Sequence, residues 1–117
     1  MNKIKTHKDL DVWKTSMDLA FDLYSVTKNF PKEEMYGLTS QIRRSAVSVA
    51  SNIAEGAARG SKKEFIQFLY ISLGSLAEIE TQLLLAERLQ YFNSDAVFSK
   101  IDKIRQMLLG LMGYLRK

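Results

Sequence analysis

The sequence predicts an all-α protein, an antiparallel up-down-up-down four-helix bundle in a single domain over residues 1–117. Three observations point there. Apolar residues recur at three- and four-residue steps through four segments, and alternation of period two is absent. One proline and six glycines are too few punctuation marks for an all-β sandwich. Of 117 residues 46% are apolar and 26% charged, enough for one core, and no repeat, low-complexity tract or linker divides the chain.

The first helix is expected at about residues 9–29. Val12, Leu19, Leu23, Val26 and Phe30 share one side, Trp13, Met17, Ala20 and Tyr24 form a row beside it, and Asp11, Asp18, Asp22 and Ser25 take the opposite face. The helix should stop before Pro31, because proline disfavours helical backbone in its predecessor. The second helix is expected over 37–59, with Leu38, Ile42, Ala46, Val49, Ala50, Ile53 and Ala57 on one arc and Gly60 as its stop. Its many alanines allow a neighbouring helix to come close. Ser61-Lys62-Lys63-Glu64 has the capping-box spelling, so the third helix should span 61–89 with a main stripe of Phe65, Phe68, Leu69, Leu76, Ile79, Leu83 and Ala86. Asn93-Ser94-Asp95 opens the fourth, 95–115, which carries Val97, Phe98, Ile101, Ile104, Leu108, Leu111, Met112 and Leu115 on one side.

Helix three is apolar on more than this stripe. Ile66, Leu73, Ala77 and Leu84 form a second row, and Ile71, Leu85 and Leu89 a third. A helix in a lone bundle needs an apolar arc of only somewhat over ~100°. The excess calls for cover, and copies of the same chain supply it most simply, so a homo-oligomer is expected.

Several chemistries are disfavoured. With no cysteine there is no disulfide, thiol nucleophile or Cys-ligated metal, and with one histidine, His7, the Glu-x-x-His pairs of di-iron bundles cannot form. Glu78, Glu80 and Glu87 spread around helix three, and Ser48 and Ser51 have no base nearby on their helix beyond Glu55. No phosphate-binding glycine loop or nucleophile-elbow motif occurs. The expectation is a protein that is not an enzyme and holds no cofactor. The basic start of the chain lacks an apolar core of a signal peptide, and the longest uncharged run, Phe65–Ala77, falls far short of the ~20 residues of a membrane span, so a cytoplasmic protein is expected.

Charge is uneven. In an antiparallel bundle the start of helix one, the joint between helices two and three and the end of helix four share a pole. That pole gathers Lys3, Lys5, Lys8, Arg59, Lys62, Lys63, Arg116 and Lys117 against Asp9, Asp11, Glu55 and Glu64, which accounts for the whole formal charge of +4. These cations are the candidate contacts for RNA or DNA, supported by the free backbone donors at the start of helix three. Solvated helix ends explain the same residues more plainly, and of stacking aromatics only Trp13 and Phe65 are near.

A second candidate is a polar stripe on helix two: Gln41, Arg44, Ser45, Ser48, Asn52, Glu55 and Arg59 fall within about a third of its circumference. It reads either as a groove where Arg44, Asn52 and Glu55 bond a partner's backbone or a phosphate, or as a seam whose polar groups satisfy one another and adjacent helices. The seam is the simpler reading.

The segments Leu10-Asp11-Val12-Trp13, Phe30 to Arg44, Ser48-Val49-Ala50-Ser51-Asn52-Ile53-Ala54-Glu55-Gly56, Lys63-Glu64-Phe65 and Leu73 to Leu83 together resemble the 23S rRNA intervening sequence proteins, also labelled S23 ribosomal proteins. The likeness covers nearly the whole chain. It implies a four-helix protomer assembled as a homopentamer around a central axis, and implies no enzyme. Accessory proteins of diversity-generating retroelements are similar in fold and assembly and work with a reverse transcriptase and nucleic acid, so RNA, DNA, a reverse transcriptase or another protein are the partners the resemblance suggests. The alternative function is a protein–protein scaffold that touches no nucleic acid. Where the family often has proline this chain has Ala50, which implies a straighter second helix. The resemblance carries over no functional residues.

Overall fold

The computed structural model describes residues 6–117; Lys3 and Lys5 of the candidate basic pole lie outside the described residues. Among those described there are four α-helices and no strand: α1 (Asp11–Thr27), α2 (Leu38–Ala57), α3 (Lys62–Arg88) and α4 (Asp95–Leu115). One-turn 3-10 helices at His7–Asp9 and Lys32–Glu34 precede α1 and α2.

Each helix end has a local cause. α1 begins later than the apolar pattern suggests because Asp9 is used elsewhere. Its carboxylate accepts from Thr6 N–H (3.1 Å), closing the first 3-10 turn, and Leu10 then turns extended. At the other end Lys28, Asn29 and Phe30 donate back three residues, to Ser25, Val26 and Thr27, which tightens the chain before Pro31. At the start of α2 a carboxylate oxygen of Glu34 accepts from Leu38 N–H (3.2 Å), serving as a cap from outside the helix.

α2 runs unbroken through Ala50 and ends at Ala57. Gly60 is not the left-handed stop expected, since no glycine among the described residues has positive φ. Gly56, inside the helix, has the stronger claim to being glycine. A Cβ there would lie 2.8 Å from Phe68 Cβ and 2.9 Å from Phe65 Cδ1. The start of α3 follows the sequence reading in its serine cap, Ser61 Oγ accepting from Glu64 N–H at 3.2 Å, but the capping box is half made, since Glu64 Oε1 accepts from the Ser61 hydroxyl (3.4 Å) and not from its backbone N–H. Ser94 Oγ caps α4 in the same way, accepting from Val97 N–H at 3.2 Å.

The backbones of α1 and α2, α2 and α3, α3 and α4, and α4 and α1 lie alongside one another, whereas the diagonal pairs do not among the described residues. Between them lies one continuous core. Leu23, Ile42, Ile53, Leu69, Leu76, Ile79, Leu83, Ile101, Ile104, Leu108 and Met112 are fully enclosed. Burial of one such side chain contributes roughly 1.5–3 kcal/mol, which makes the inner rows the main source of stability. Polar contacts fix the relative positions of the helices. Arg43 Nε donates to Thr27 Oγ1 (2.9 Å), Ser72 Oγ to Val49 O (2.8 Å), Lys100 Nζ to Asp22 (2.5 Å) and Arg105 to Glu80 (2.7 Å).

By length and composition α3 suffices to cross a membrane, with a mean hydropathy of 1.2 over its most apolar window, although its longest uncharged run is short. Leu69, Leu76, Ile79 and Leu83 instead form a wall of the core. The other two rows divide. Ile66 and Leu73 pack against the core, whereas Ile71, Leu84, Leu85 and Leu89 are each about half exposed at 45–50%. On α1, Met17 and Tyr24 are exposed, and so is Phe21 at 75%, on the face the pattern assigns to acids.

Candidate functional site

The polar stripe of α2 is not one unit. Gln41, Arg44, Ser45 and Ser48 line a groove of about 500 Å³ whose far wall is Ser75, Glu78 and Gln82 of α3. At its floor the Ser48 and Ser75 hydroxyls share a hydrogen bond of 2.9 Å. Asn52 stands one turn further on and donates its amide to Ser48 O (2.9 Å) and Ser48 Oγ (3.0 Å). Asn52, Ser48 and Ser75 therefore satisfy one another, as polar groups between packed helices must. The groove's mouth differs: the side chains of Arg44, Gln41 and Glu78 make no hydrogen bond or ion pair among the described residues. Gln82 Oε1 is buried and accepts no hydrogen bond among the described residues. A buried acceptor left in that state costs about 1–3 kcal/mol.

Glu55 and Arg59, the last members of the stripe, belong elsewhere. Arg59 lies between Glu55 (3.4 Å) and Glu64 (3.8 Å), and its guanidinium sits 4.9 Å from the centre of the Phe68 ring. Its charge is locally matched. The signal that stripe and groove part company was present in α3, where Ser72 and Ser75 interrupt the apolar pattern. Which helix they face is a matter of packing and cannot be read from α3 alone.

The described candidate cations stand in different settings. Lys62 and Lys63 stand in the first turn of α3, exposed and without an ion pair among the described residues, next to Arg59. Arg116 is held further along α3: it donates to Tyr70 Oη (2.6 Å) and lies 5.7 Å from the centre of that ring. Lys117 follows it, exposed. Lys8 is exposed in the 3-10 turn before α1, and Trp13 of early α1 shares a hollow with Ala54 of late α2. That hollow, about 440 Å³, is mainly apolar; Trp13, Met17, Phe21, Tyr24 and Val47 surround small residues of α2.

The carboxylates weighed for metal binding or catalysis go separate ways. Glu80 pairs with Arg105, Glu78 faces the α2–α3 groove, and Glu87 stands near the α3–α4 turn. No group of three His, Asp or Glu side chains able to hold a metal comes together among the described residues. In that turn the Tyr91 hydroxyl donates to a Glu34 carboxylate oxygen at 3.2 Å. Desolvation, followed by this hydrogen bond and the negative charges of Glu34 and Glu33, raises the Tyr91 pKa above 10.0.

Comparison with known proteins adds the following. The family model described as 23S rRNA-intervening sequence protein matches residues 8–110. A crystal structure of a protein with unknown function from the S23 ribosomal protein family, from Bacteroides thetaiotaomicron, superposes with a TM-score of 0.77 at 25% identity. The match covers 86% of this chain and 97% of that one. No curated protein matches.

Proposed function

Since the chain belongs to the 23S rRNA-intervening sequence protein family, we propose that it is a non-catalytic, up-down-up-down four-helix protomer that joins copies of itself and engages RNA or DNA through its basic end. The connectivity is supported by contacts in which numbers rise on one helix as they fall on its neighbour, Ser48 with Ser75 but Gly56 with Phe65 and Phe68, and by the pairing of Asp22 late in α1 with Lys100 early in α4 and of Tyr70 in the first half of α3 with Arg116 after α4. Self-association is supported by the half-exposed Ile71, Leu84, Leu85 and Leu89 together with Phe21, large apolar side chains that a second copy would cover. A ring is the arrangement, and five the subunit number, that the family resemblance implies.

The single observation behind nucleic-acid contact is the pair Lys62 and Lys63. They are solvent-exposed cations with no ion pair among the described residues, in a helical first turn whose backbone N–H groups also favour anions. Repeating that turn around a ring would multiply the field. The test is binding of a fluorescent single-stranded RNA and a duplex DNA to the full chain across salt concentrations. Affinity should fall with a log–log slope of about −0.7 to −0.9 per phosphate contact, and Lys62→Glu with Lys63→Glu should weaken it roughly tenfold or more at unchanged helicity. Binding that ignores salt, or is absent, rejects this function.

A scaffold for another protein is the second reading, favoured by the apolar hollow around Trp13, Met17 and Val47. Its expected result is a stable, nuclease-resistant complex with one protein, lost in Val47→Asp.

A further inference from the structure

The α2–α3 groove continues past its polar end. A second hollow of about 460 Å³ shares Gln41, Glu78 and Gln82 with it and is walled by Leu38, Ala77 and Leu85. The combined furrow is therefore charged at one end, where Arg44 and Glu78 stand on opposite walls without partners among the described residues. It is apolar at the other end. A lone phosphate suits it poorly, because Glu78 opposes any anion drawn to Arg44.

The outer stripe of α1 presents the complementary series. Lys14, Asp18 and Phe21, at i, i+4 and i+7, share one face of the helix. All three are exposed, and the side chains of Lys14 and Asp18 make no hydrogen bond or ion pair among the described residues. This stripe runs from charged to apolar with increasing residue number, and the furrow does the same along α3, from Ser75 and Glu78 to Leu85. α1 does not adjoin α3 within the chain, so its own copy of the stripe does not fill its own furrow.

We propose that the α2–α3 furrow receives the outer stripe of α1 from a second copy of this chain, with Asp18 on Arg44, Lys14 on Glu78 and Phe21 in the apolar end. The inference rests on the self-association proposed above and names its surfaces. The Lys14 ammonium, a compact charge on a flexible stem, pairs with the Glu78 carboxylate at the mouth of the furrow. The two surfaces are different patches of the protomer, so the contact is heterologous and builds a ring or an open chain, never an isologous dimer.

The test is sedimentation velocity on the full chain over a concentration series, with circular dichroism on every variant. The wild type is expected to assemble, with Asp18→Arg and Arg44→Asp each shifting it toward the 13.4 kDa species at unchanged helicity. The double variant Asp18→Arg with Arg44→Asp should restore assembly. Should a reversal unfold the chain, Asp18→Asn and Lys14→Gln replace it, each expected to weaken assembly roughly tenfold. Assembly undiminished by these substitutions, or lost in the singles and not restored by the swap, overturns this seating while leaving self-association intact. A wild type that stays at 13.4 kDa throughout overturns self-association and with it this inference. RNA binding by that single chain would still be read separately.

Discussion

Gln90 is the one non-glycine residue among those described with positive φ, at 64°. It occupies the left-handed position after α3. Tyr91 N–H reaches back to Ala86 O (2.9 Å) and Gln90 N–H to Glu87 O (3.0 Å), the paired bonds of a Schellman turn. A side chain at that backbone costs about 1–2 kcal/mol that glycine does not incur. Gln90→Gly should therefore stabilise the protein, by about 1 kcal/mol after the added freedom of the unfolded glycine is deducted, read as a higher denaturant midpoint at unchanged m. Next to it, Tyr91 has a raised pKa in the folded chain, so its protonated form is bound more tightly there than in the unfolded chain. That contribution is fully present below the unfolded value near 10 and is lost as pH rises through the raised one. Urea midpoints measured from pH 9 upward should fall for the wild type and fall less steeply for Tyr91→Phe.

At the scale of elements, the α2–α3 pair is the most closely packed. Ser48 against Ser75, Gly56 against Phe65 and Phe68, and Ser72 donating to a carbonyl of α2 let the two helices approach along much of their length. Gly56→Ala normally favours a helix by about 1 kcal/mol. Here the added methyl meets Phe68 Cβ at 2.8 Å, an atom that moves only with its helix. The clash should prevail, with a net destabilisation of about 1–3 kcal/mol and a lower thermal midpoint. Ala58→Gly, just beyond the helix end and exposed, is the control that should change little.

For the whole molecule, the inner rows hold the fold and the outer rows face solvent. Phe21 illustrates the separation: at 75% exposure it adds little to the core. Phe21→Ala should leave the unfolding free energy of dilute protein within about 0.5 kcal/mol of wild type, as surface substitutions usually do. In concentrated protein the same change should remove whatever extra stability rises with concentration, since assembly stabilises by mass action. Equal losses at both concentrations would show that Phe21 supports the monomer and not a contact between copies.

Sequence alone determined the four helices, their inner rows and the serine caps at Ser61 and Ser94, because these depend on residues within a few positions of one another. Helix ends shifted where a side chain found a different local use, as Asp9 and Glu34 did. The division of the polar stripe into a satisfied floor at Ser48 and Asn52, an open mouth at Arg44 and a separate Arg59 cluster was decided by tertiary structure. So were the reason Gly56 is glycine and the exposure of Phe21. Periodicity tells which residues share a face of one helix; only the approach of a second helix decides which of them acquire partners, and partners determine whether a polar group is spent on the fold or left to bind.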